Sequence, residues 1–548
     1  MITDPLKPAE PEMDISSKLV LVIDDYQAMR SVFRDILRSC GADVRKISMA
    51  ASGSEAIASL IRTQFDIVLC DFNLGSGRNG QQVLEEAKFR GLVGLDCIWV
   101  MVTAEKTAEA VTGAAECQPD AYLIKPVAEA TLNSRLIKIW KKKQVFVDIY
   151  QAMEQLNYPQ AIGLCDARLA TDKANAAELL RAKCDLLLLS GELERAKDLL
   201  EKILLERDLP WAKAGLAKVL LKSKNFDAAK ILLEETVAVN PSFLEAHDLL
   251  VETLLAMSDL EEANSVLERA IKLSPNSVVR QKSLGEVSMK LGNLEEAEQA
   301  FKKSVSLGEN SVLKTEDSYI GLAKVHSEND NPDEAFKILN QLNKSFDMDA
   351  IRLKVKAVEG MIYHESGNNE KAKLIAEELG ECLSKDEVDH DRERSLEMAR
   401  LFMATGNTKN AVTLLRREVK NSPENTVFLD EINEIFVTAE MGEEGAKLIE
   451  ASRQEAMEMM NRGVLLVSKG EYKEAIDAMR DAREAMPTNI RVLLNLAYVL
   501  IAYLQKNETT PELVREARDN LLAANVQSPG EPRFIRLMGV LNKLSPPV

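Results

Sequence analysis

Four short apolar runs near the start of the chain each lead into a residue that can do chemistry. Leu19–Ile23 runs into Asp24 and Asp25, Ile67–Cys70 into Asp71, Ile98–Val102 into Thr103, and Tyr122–Ile124 into Lys125 and Pro126. Three carboxylates brought into one cleft repel each other and need a hard cation, and an all-oxygen set suits Mg²⁺. A lysine point charge and a hydroxyl facing those acids are what a transferred phosphoryl group requires. No Gly-rich nucleotide loop accompanies them, so the phosphoryl group has to arrive from a small donor or from another protein. Taken singly each residue is bland: an Asp after a strand is a solvated acid, and Lys-Pro is a turn. Their order along the chain carries the argument.

The elements that must position these residues are legible as well. The four runs are rich in Val and Ile, and a weaker fifth lies at Val44–Ser48. Amphipathic patterns separate them. In QAMRSVFRDILRSCG, Met29, Val32, Phe33, Ile36 and Leu37 fall on one helical face and Gly41 is placed to end the helix. Continuous apolar strands alternating with helices imply an α/β, doubly wound, five-stranded parallel sheet covered on both faces. In such sheets, sites gather at the carboxyl ends of the strands.

Residues 17–140 resemble the receiver domain of two-component response regulators, and within it the stand-alone chemotaxis receiver. The segments that carry the resemblance are LVIDDYQAMRSVFRDIL, DIVLCDFNLGSGRNG, VMVTAE and AYLIKP. The resemblance implies that Asp71 is the phosphoacceptor nucleophile. It also implies that Asp25, Asp71 and the backbone carbonyl of Asn73 bind Mg²⁺, with Asp24 contributing directly or through water. Lys125 would pair with the phosphoryl oxygens and Thr103 would hydrogen-bond to them. Tyr122 matches the aromatic that changes rotamer when the threonine is drawn inward, and a cis peptide is usual before the proline matching Pro126. Asn73 and Glu105 match positions that set how readily water attacks the acyl phosphate, which implies a transient signal. A haloacid-dehalogenase-type phosphatase also uses a strand-end Asp but wants a second Asp two residues on; position 73 is Asn, so that reading fails.

From residue 145 the alternation gives way to a helical repeat. An A-x-x-x-[LF] motif or a close variant recurs behind Gly-, Asn- or Asp-bearing turns, anchored on Ala161, Ala196, Ala229, Ala263, Ala297, Ala335, Ala372, Ala411, Ala475 and Ala517. The steps from Ala196 to Ala297 are 33, 34 and 34 residues, which is the tetratricopeptide period of two helices per unit. Small residues such as Gly285, Gly360 and Gly463 precede the anchor by twelve, and bulky ones such as Leu233, Phe301 and Met479 follow it by four. Prolines stand twelve after it at Pro241, Pro275, Pro423, Pro487 and Pro529. These are packing positions: small residues let helices approach, and proline stops a helix. After Ala297 the steps lengthen to 38, 37 and 39, so longer loops are expected there. A degenerate unit surrounds Ala446. About ten repeats over 145–548, with a capping helix at Pro532–Leu544, form an all-α superhelical solenoid.

Three joins and margins complete the organisation. Residues 1–16 are acidic and proline-bearing without an apolar core, so a disordered tail is expected rather than a signal peptide. Between Thr131 and Asn157 neither Gly nor Pro occurs, and Leu132, Leu136, Trp140, Phe146, Tyr150 and Met153 recur at helical spacing, so one connecting helix over 131–157 is expected, the alternative being two helices broken near Lys141–Lys143. The seven cysteines form no C-x-x-C pair and only four histidines accompany them, which supports free thiols rather than a zinc site or a disulfide framework.

Composition narrows the function. The 548 residues carry a net charge of −18, which disfavours phosphate backbones and anionic lipid. The longest apolar stretch of the C-terminal half, Val492–Leu504, falls short of the ~20 residues that span a bilayer. A cytoplasmic protein with no nucleic-acid or membrane role is therefore expected, and one that is not an enzyme beyond Mg²⁺-dependent chemistry on its own Asp71. A solenoid offers a groove for a protein partner. The Lys and Asn four apart that would clamp a C-terminal carboxylate are missing: Lys282 is followed by Glu286, and Ala214 by Lys218. Groove positions Lys218, Lys222, Glu245, Asp248, Glu252, Lys282 and Glu286 are of mixed sign. The Met457, Met459, Met460 cluster reads as gap-filling core before contact surface.

The resulting expectation is a bacterial response regulator whose receiver takes a phosphoryl group from a sensor histidine kinase or phosphotransfer protein and modulates the interactions of its repeat scaffold, with that kinase or another relay component as the expected ligand and with homodimerisation as a further route. The alternatives are a helical DNA-binding output, opposed by the acidic balance, and a phosphate sink with a targeting solenoid.

Overall fold

A computed structural model describes residues 13–104, 118–384, 391–507, 510–528 and 530–544. Glu105, Cys117, Pro529 and the first twelve residues of the expected tail lie outside the described residues.

The strands β1 (Val20–Ile23), β2 (Ile47–Ala50), β3 (Ile67–Asp71), β4 (Ile98–Thr103) and β5 (Ala121–Ile124) form one parallel sheet in the order β2-β1-β3-β4-β5. Alternation along each strand serves two cores. Val20, Val22, Ile67, Leu69, Ile98 and Val100 face Phe33 and Leu37 of α1 (Gln27–Ser39) and Leu132 and Leu136 of α4 (Glu129–Gln144). Leu21, Ile23, Val68, Cys70, Trp99 and Met101 face α2 (Gly53–Arg62) and α3 (Gly80–Phe89). Burial on both faces is why these strands are continuously apolar.

Several expectations shift. The weak strand expected at Val44–Ser48 lies later, at Ile47–Ala50, because Val44–Lys46 forms a 3₁₀ turn in which Asp43 accepts from the Arg45 N–H. Val32 is exposed rather than inward, because the buried stripe of α1 centres on Phe33 and Leu37. The tail is ordered by its end: Asp14 caps a 3₁₀ turn at Ile15–Ser17, and Ile15 is buried in the α1/α4 core.

The single connecting helix over 131–157 is two helices, α4 and Val147–Glu154, broken at Val145–Phe146. No helix breaker causes this; two cores pulling in different directions do. Lys143 is tied back to the sheet by an ion pair with Asp120 (3.0 Å) and a hydrogen bond to the Leu95 carbonyl (3.1 Å). Three residues on, Phe146 is buried with Ile149 in the first repeat and stacks on Tyr150 at 5.7 Å.

From Val147 to Leu544 the chain is helical hairpins in series. Phe301 shows how they pack: a Cβ at Gly285 would lie 2.7 Å from its ring and one at Gly321 2.4 Å, so the ring wedges between the first helices of its own and the next repeat. Helices end ahead of Pro241, Pro275, Pro423 and Pro487. Where the stop is missing, twelve residues after Ala446, two helices fuse into the 28-residue helix Gly442–Lys469. Ala497 and Ala517 are 20 residues apart where twelve is usual, and the excess is shared between a longer first helix (Ile490–Leu504), the connection from Leu504 to Pro511 and an earlier start of the second helix (Pro511–Gln527).

The stack also touches itself. A Cβ at Gly191 would meet Pro532 at 2.1 Å, one at Gly530 would meet the Leu189 carbonyl at 2.5 Å, and Leu156 packs on the C-terminal core. The capping helix Pro532–Leu544 therefore meets the second hairpin (Ala176–Leu189 and Leu193–Glu206), a contact absent from a purely neighbour-to-neighbour array.

Candidate functional site

The carboxyl ends of β1, β3, β4 and β5 deliver the expected residues to one place. Asp24 and Asp25 follow β1, Asp71 ends β3, Thr103 ends β4, and Lys125 follows β5. Asp24, Asp71 and Thr103 are buried. Carboxylate oxygens of Asp24, Asp25 and Asp71 lie within 4.8 Å of one another.

Lys125 ties two of them together. Its Nζ donates to Asp24 Oδ2 at 2.8 Å and to Asp71 Oδ2 at 2.7 Å. The Lys125 N–H donates to the Thr103 carbonyl at 2.8 Å, and the Lys125–Pro126 peptide is cis, as the resemblance implied. Asp24 Oδ1 accepts from the Tyr26 N–H at 2.9 Å. Arg30, a residue not singled out in advance although it lies in the Asp-Asp motif, donates to the backbone carbonyls of Asp24 (2.6 Å) and Asp25 (3.1 Å). It fixes the β1–α1 turn rather than neutralising the acids.

Charge then decides what the cluster can hold. Two like charges at about this separation repel by roughly 3–4 kcal/mol at an effective dielectric of 20. Three carboxylates against one directly bonded ammonium leave two negative charges uncompensated. Burial pushes the Asp71 carboxyl above its usual range, against the opposing pull of Lys125. Burial alone would lower the Lys125 ammonium, but its hydrogen bonds to Asp24 and Asp71 hold it above the ordinary lysine value. One oxygen remains unaccounted for: Asp25 Oδ1 is buried without a hydrogen-bond partner. A buried carboxylate oxygen without a donor, in an all-oxygen cluster two charges in deficit, fits a hard divalent cation.

Tyr122 is half-buried on β5, packed on the α2/α3 core. The register pairs Met101 with Tyr122 and Thr103 with Ile124, so Thr103 and Tyr122 point to the same face of the sheet. Asn73 lies in the loop after β3, its Oδ1 accepting from the Gly75 N–H at 3.2 Å. Glu105 is outside the described residues.

The second candidate surface is the inner face of the solenoid, built from the first helices of successive repeats. Several of its charges are paired with each other across helices. Lys218 bonds Glu245, Asp248 grips Arg280 at 2.7 and 2.8 Å, Lys282 reaches Asp317 at 3.4 Å, and Lys354 bridges Asp317 and Glu393. Partners 27 to 39 residues apart are what a one-repeat step produces, so the row is a ladder of staples between neighbouring repeats. Met460 is buried and Met459 packs on the same core, whereas Met457 is exposed.

The receiver-like part meets this face. Lys142 pairs with Glu178 at 3.0 Å, and Ser311 Oγ donates to Glu85 of α3 at 2.9 Å. Beside the Lys142–Glu178 contact lies a cavity of about 1290 Å³ lined by Tyr122, Ile139 and Lys142 on one side and by Tyr150, Phe243 and Glu252 on the other.

Comparison with known proteins agrees with both halves. Residues 20–137 match the response regulator receiver domain, and residues 187–251 and 254–308 match tetratricopeptide repeats. Chemotaxis protein CheY-3 of Vibrio cholerae serotype O1 is 31% identical over 124 residues, which are 22% of this chain and 92% of that protein. Chemotaxis protein CheY of Pseudomonas aeruginosa is 27% identical over 124 residues, 22% of this chain and 96% of its own. Among solved structures, a tetratricopeptide repeat protein from Parabacteroides merdae covers 54% of this chain and 98% of itself at 14% identity, with a TM-score of 0.34. Among the described residues, no helix is long and apolar enough to cross a membrane.

Proposed function

The chain belongs to the response regulators, with a receiver domain followed by tetratricopeptide repeats, and on that footing we propose that it accepts a phosphoryl group on Asp71 and uses it to change how the solenoid meets a protein partner. The observation that supports this most is the Lys125 bridge between Asp24 and Asp71 beside the buried, partnerless Asp25 Oδ1. An Asp71 oxygen attacks phosphorus, the bond to the donor's leaving group breaks, and the leaving group departs with its electron pair. Hydrolysis returns the carboxylate and inorganic phosphate. Lys125 sits where it can balance charge on the phosphoryl oxygens, and Thr103, on the neighbouring strand, supplies the hydroxyl. Asp24, Asp25, Asp71 and the Asn73 carbonyl would hold Mg²⁺, which supplies charge neutralisation for the incoming group.

The donor class is a sensor histidine kinase or phosphotransfer protein, and the effector is a protein bound by the repeats. The test is intact-mass measurement after incubation with acetyl phosphate and Mg²⁺. Gain of one phosphoryl group, lost in Asp71→Asn and in chelator, supports the reading; an unchanged mass contradicts it.

A further inference from the structure

Four extra residues mark one place in the repeat period. The anchors Ala297 and Ala335 are 38 apart against 34 for the two preceding steps. Glu316–Glu328 is of ordinary length and Leu294–Gly308 is one residue longer than Leu260–Leu273, so most of the excess lies in the turn 309–315 between them. That turn is the part of the solenoid that reaches α3 of the receiver. Ser311 is buried, accepts from the Leu313 N–H through its Oγ at 3.0 Å, and donates from the same hydroxyl to Glu85 at 2.9 Å, across 226 residues of sequence.

The receiver is held at its other end as well. Lys142 pairs with Glu178 where the chain crosses from α4 into the first hairpins. Next to this second contact the receiver faces the inner face across a cavity, with Tyr122 on the receiver side and Phe243 and Glu252 on the solenoid side. Lys218, Glu245, Asp248 and Arg280 of the inner face are already paired within the ladder. Lys142–Glu178 and Ser311–Glu85 are polar contacts of side chains at the margins of this face, which suits an interface that can be shifted.

We propose that the turn 309–315 is a docking element for this chain's own receiver, that the receiver occupies the inner face of the solenoid when Asp71 is unmodified, and that a phosphoryl group on Asp71 releases it. The release half rests on the reading of Asp71 as phosphoacceptor; the docking half does not. Tyr122 is the physical link, since it shares a sheet face with Thr103 and also lines the cavity that release would open.

The test uses the full chain carrying Glu85→Cys and Ser311→Cys, treated with a short bis-maleimide, with the cross-linked peptide pair quantified by mass spectrometry. Acetyl phosphate with Mg²⁺ is added in a parallel arm, and intact mass reports phosphorylation independently. The expected result is a cross-link in the unmodified chain that falls about fivefold or more on phosphorylation. Absence of the cross-link in the unmodified chain overturns the docking. An unchanged yield in a chain whose mass shows the phosphoryl group overturns the release and leaves the acceptor reading standing. No mass gain overturns the acceptor reading and the release with it. Ser311→Glu, which sets a carboxylate against Glu85, gives a second reading free of cysteine chemistry. Small-angle scattering should show a larger radius of gyration than for the unaltered chain, and an equal radius contradicts the docking.

Discussion

Thr103 and Tyr122 stand on the same face of adjacent parallel strands, and Tyr122 also lines the cavity shared with the solenoid. A hydroxyl at the acidic cluster is thus one strand away from a ring that borders the repeats. Thr103→Val keeps the shape and removes the hydroxyl. It should slow phosphorylation by about tenfold or less, as loss of one hydrogen bond does. Capture of partners should become insensitive to phosphorylation. Rates from intact-mass time courses and pull-down ratios check the two halves separately.

Asp71→Asn removes one of three clustered carboxylates while leaving the fold's apolar cores untouched. Mg²⁺ binding, followed by titration calorimetry, should weaken by about tenfold or more, the effect of losing roughly 1.4 kcal/mol of charge attraction. Equal affinity in the variant would mean that the cation is held elsewhere.

Lys354 joins Asp317 and Glu393 while being itself almost wholly buried. Lys354→Met leaves the partly buried Asp317 without its cation, while Glu393 is exposed to water, and should cost about 1 kcal/mol of stability. Burial alone would raise the Asp317 carboxyl, but Lys354 and Lys282 pull it down to about 2. A depressed carboxyl contributes stability that is fully present above the unfolded value of about 3.9 and is lost as pH falls through the folded value. The unaltered chain should therefore lose this contribution between about pH 4 and pH 2, and Lys354→Met should lose less over that window. Thermal melts across pH test the difference.

The thiols divide by burial. Burial pushes Cys97 and Cys184 up to about 12 and Cys165 up to about 11, and Cys70 is fully buried and also raised. The thiolate is the reactive form. Maleimide at pH 7.5 should therefore spare these four in the native chain and label them after denaturation, whereas the partly exposed Cys40 and Cys382 react first. Early labelling of Cys97 or Cys184 would contradict the packing of the α2/α3 core or of the first hairpins.

Much of the site was legible because strand ends are fixed by periodicity. Asp71, Thr103 and Lys125 follow runs that can only be buried strands, and a parallel sheet gathers its strand ends. The repeat was equally open, since Ala196 to Ala297 recur at a constant step. What escaped was set by contacts distant in sequence. Phe146 breaks a helix that nothing local interrupts, because it belongs to a different core from Leu136. Gly191 reads as an ordinary turn glycine, yet it admits Pro532 from the far end of the chain. Lys218 and Glu245 read as mixed groove charges until their one-repeat spacing places them against each other. Ser311 carries no motif; only the lengthened step after Ala297 hinted at its loop.

The central claim is that the signal at Asp71 reaches the repeats. Amide hydrogen exchange of the full chain, with and without beryllofluoride and Mg²⁺ as the phosphoryl mimic, tests it most directly. Exchange should speed by about fivefold or more in the turn 309–315 and in the first turn of Ala176–Leu189, while β3 and β4 stay protected. Asp71→Asn should show no such change. Changes confined to residues 17–140 would contradict the account and leave the receiver as a phosphate sink.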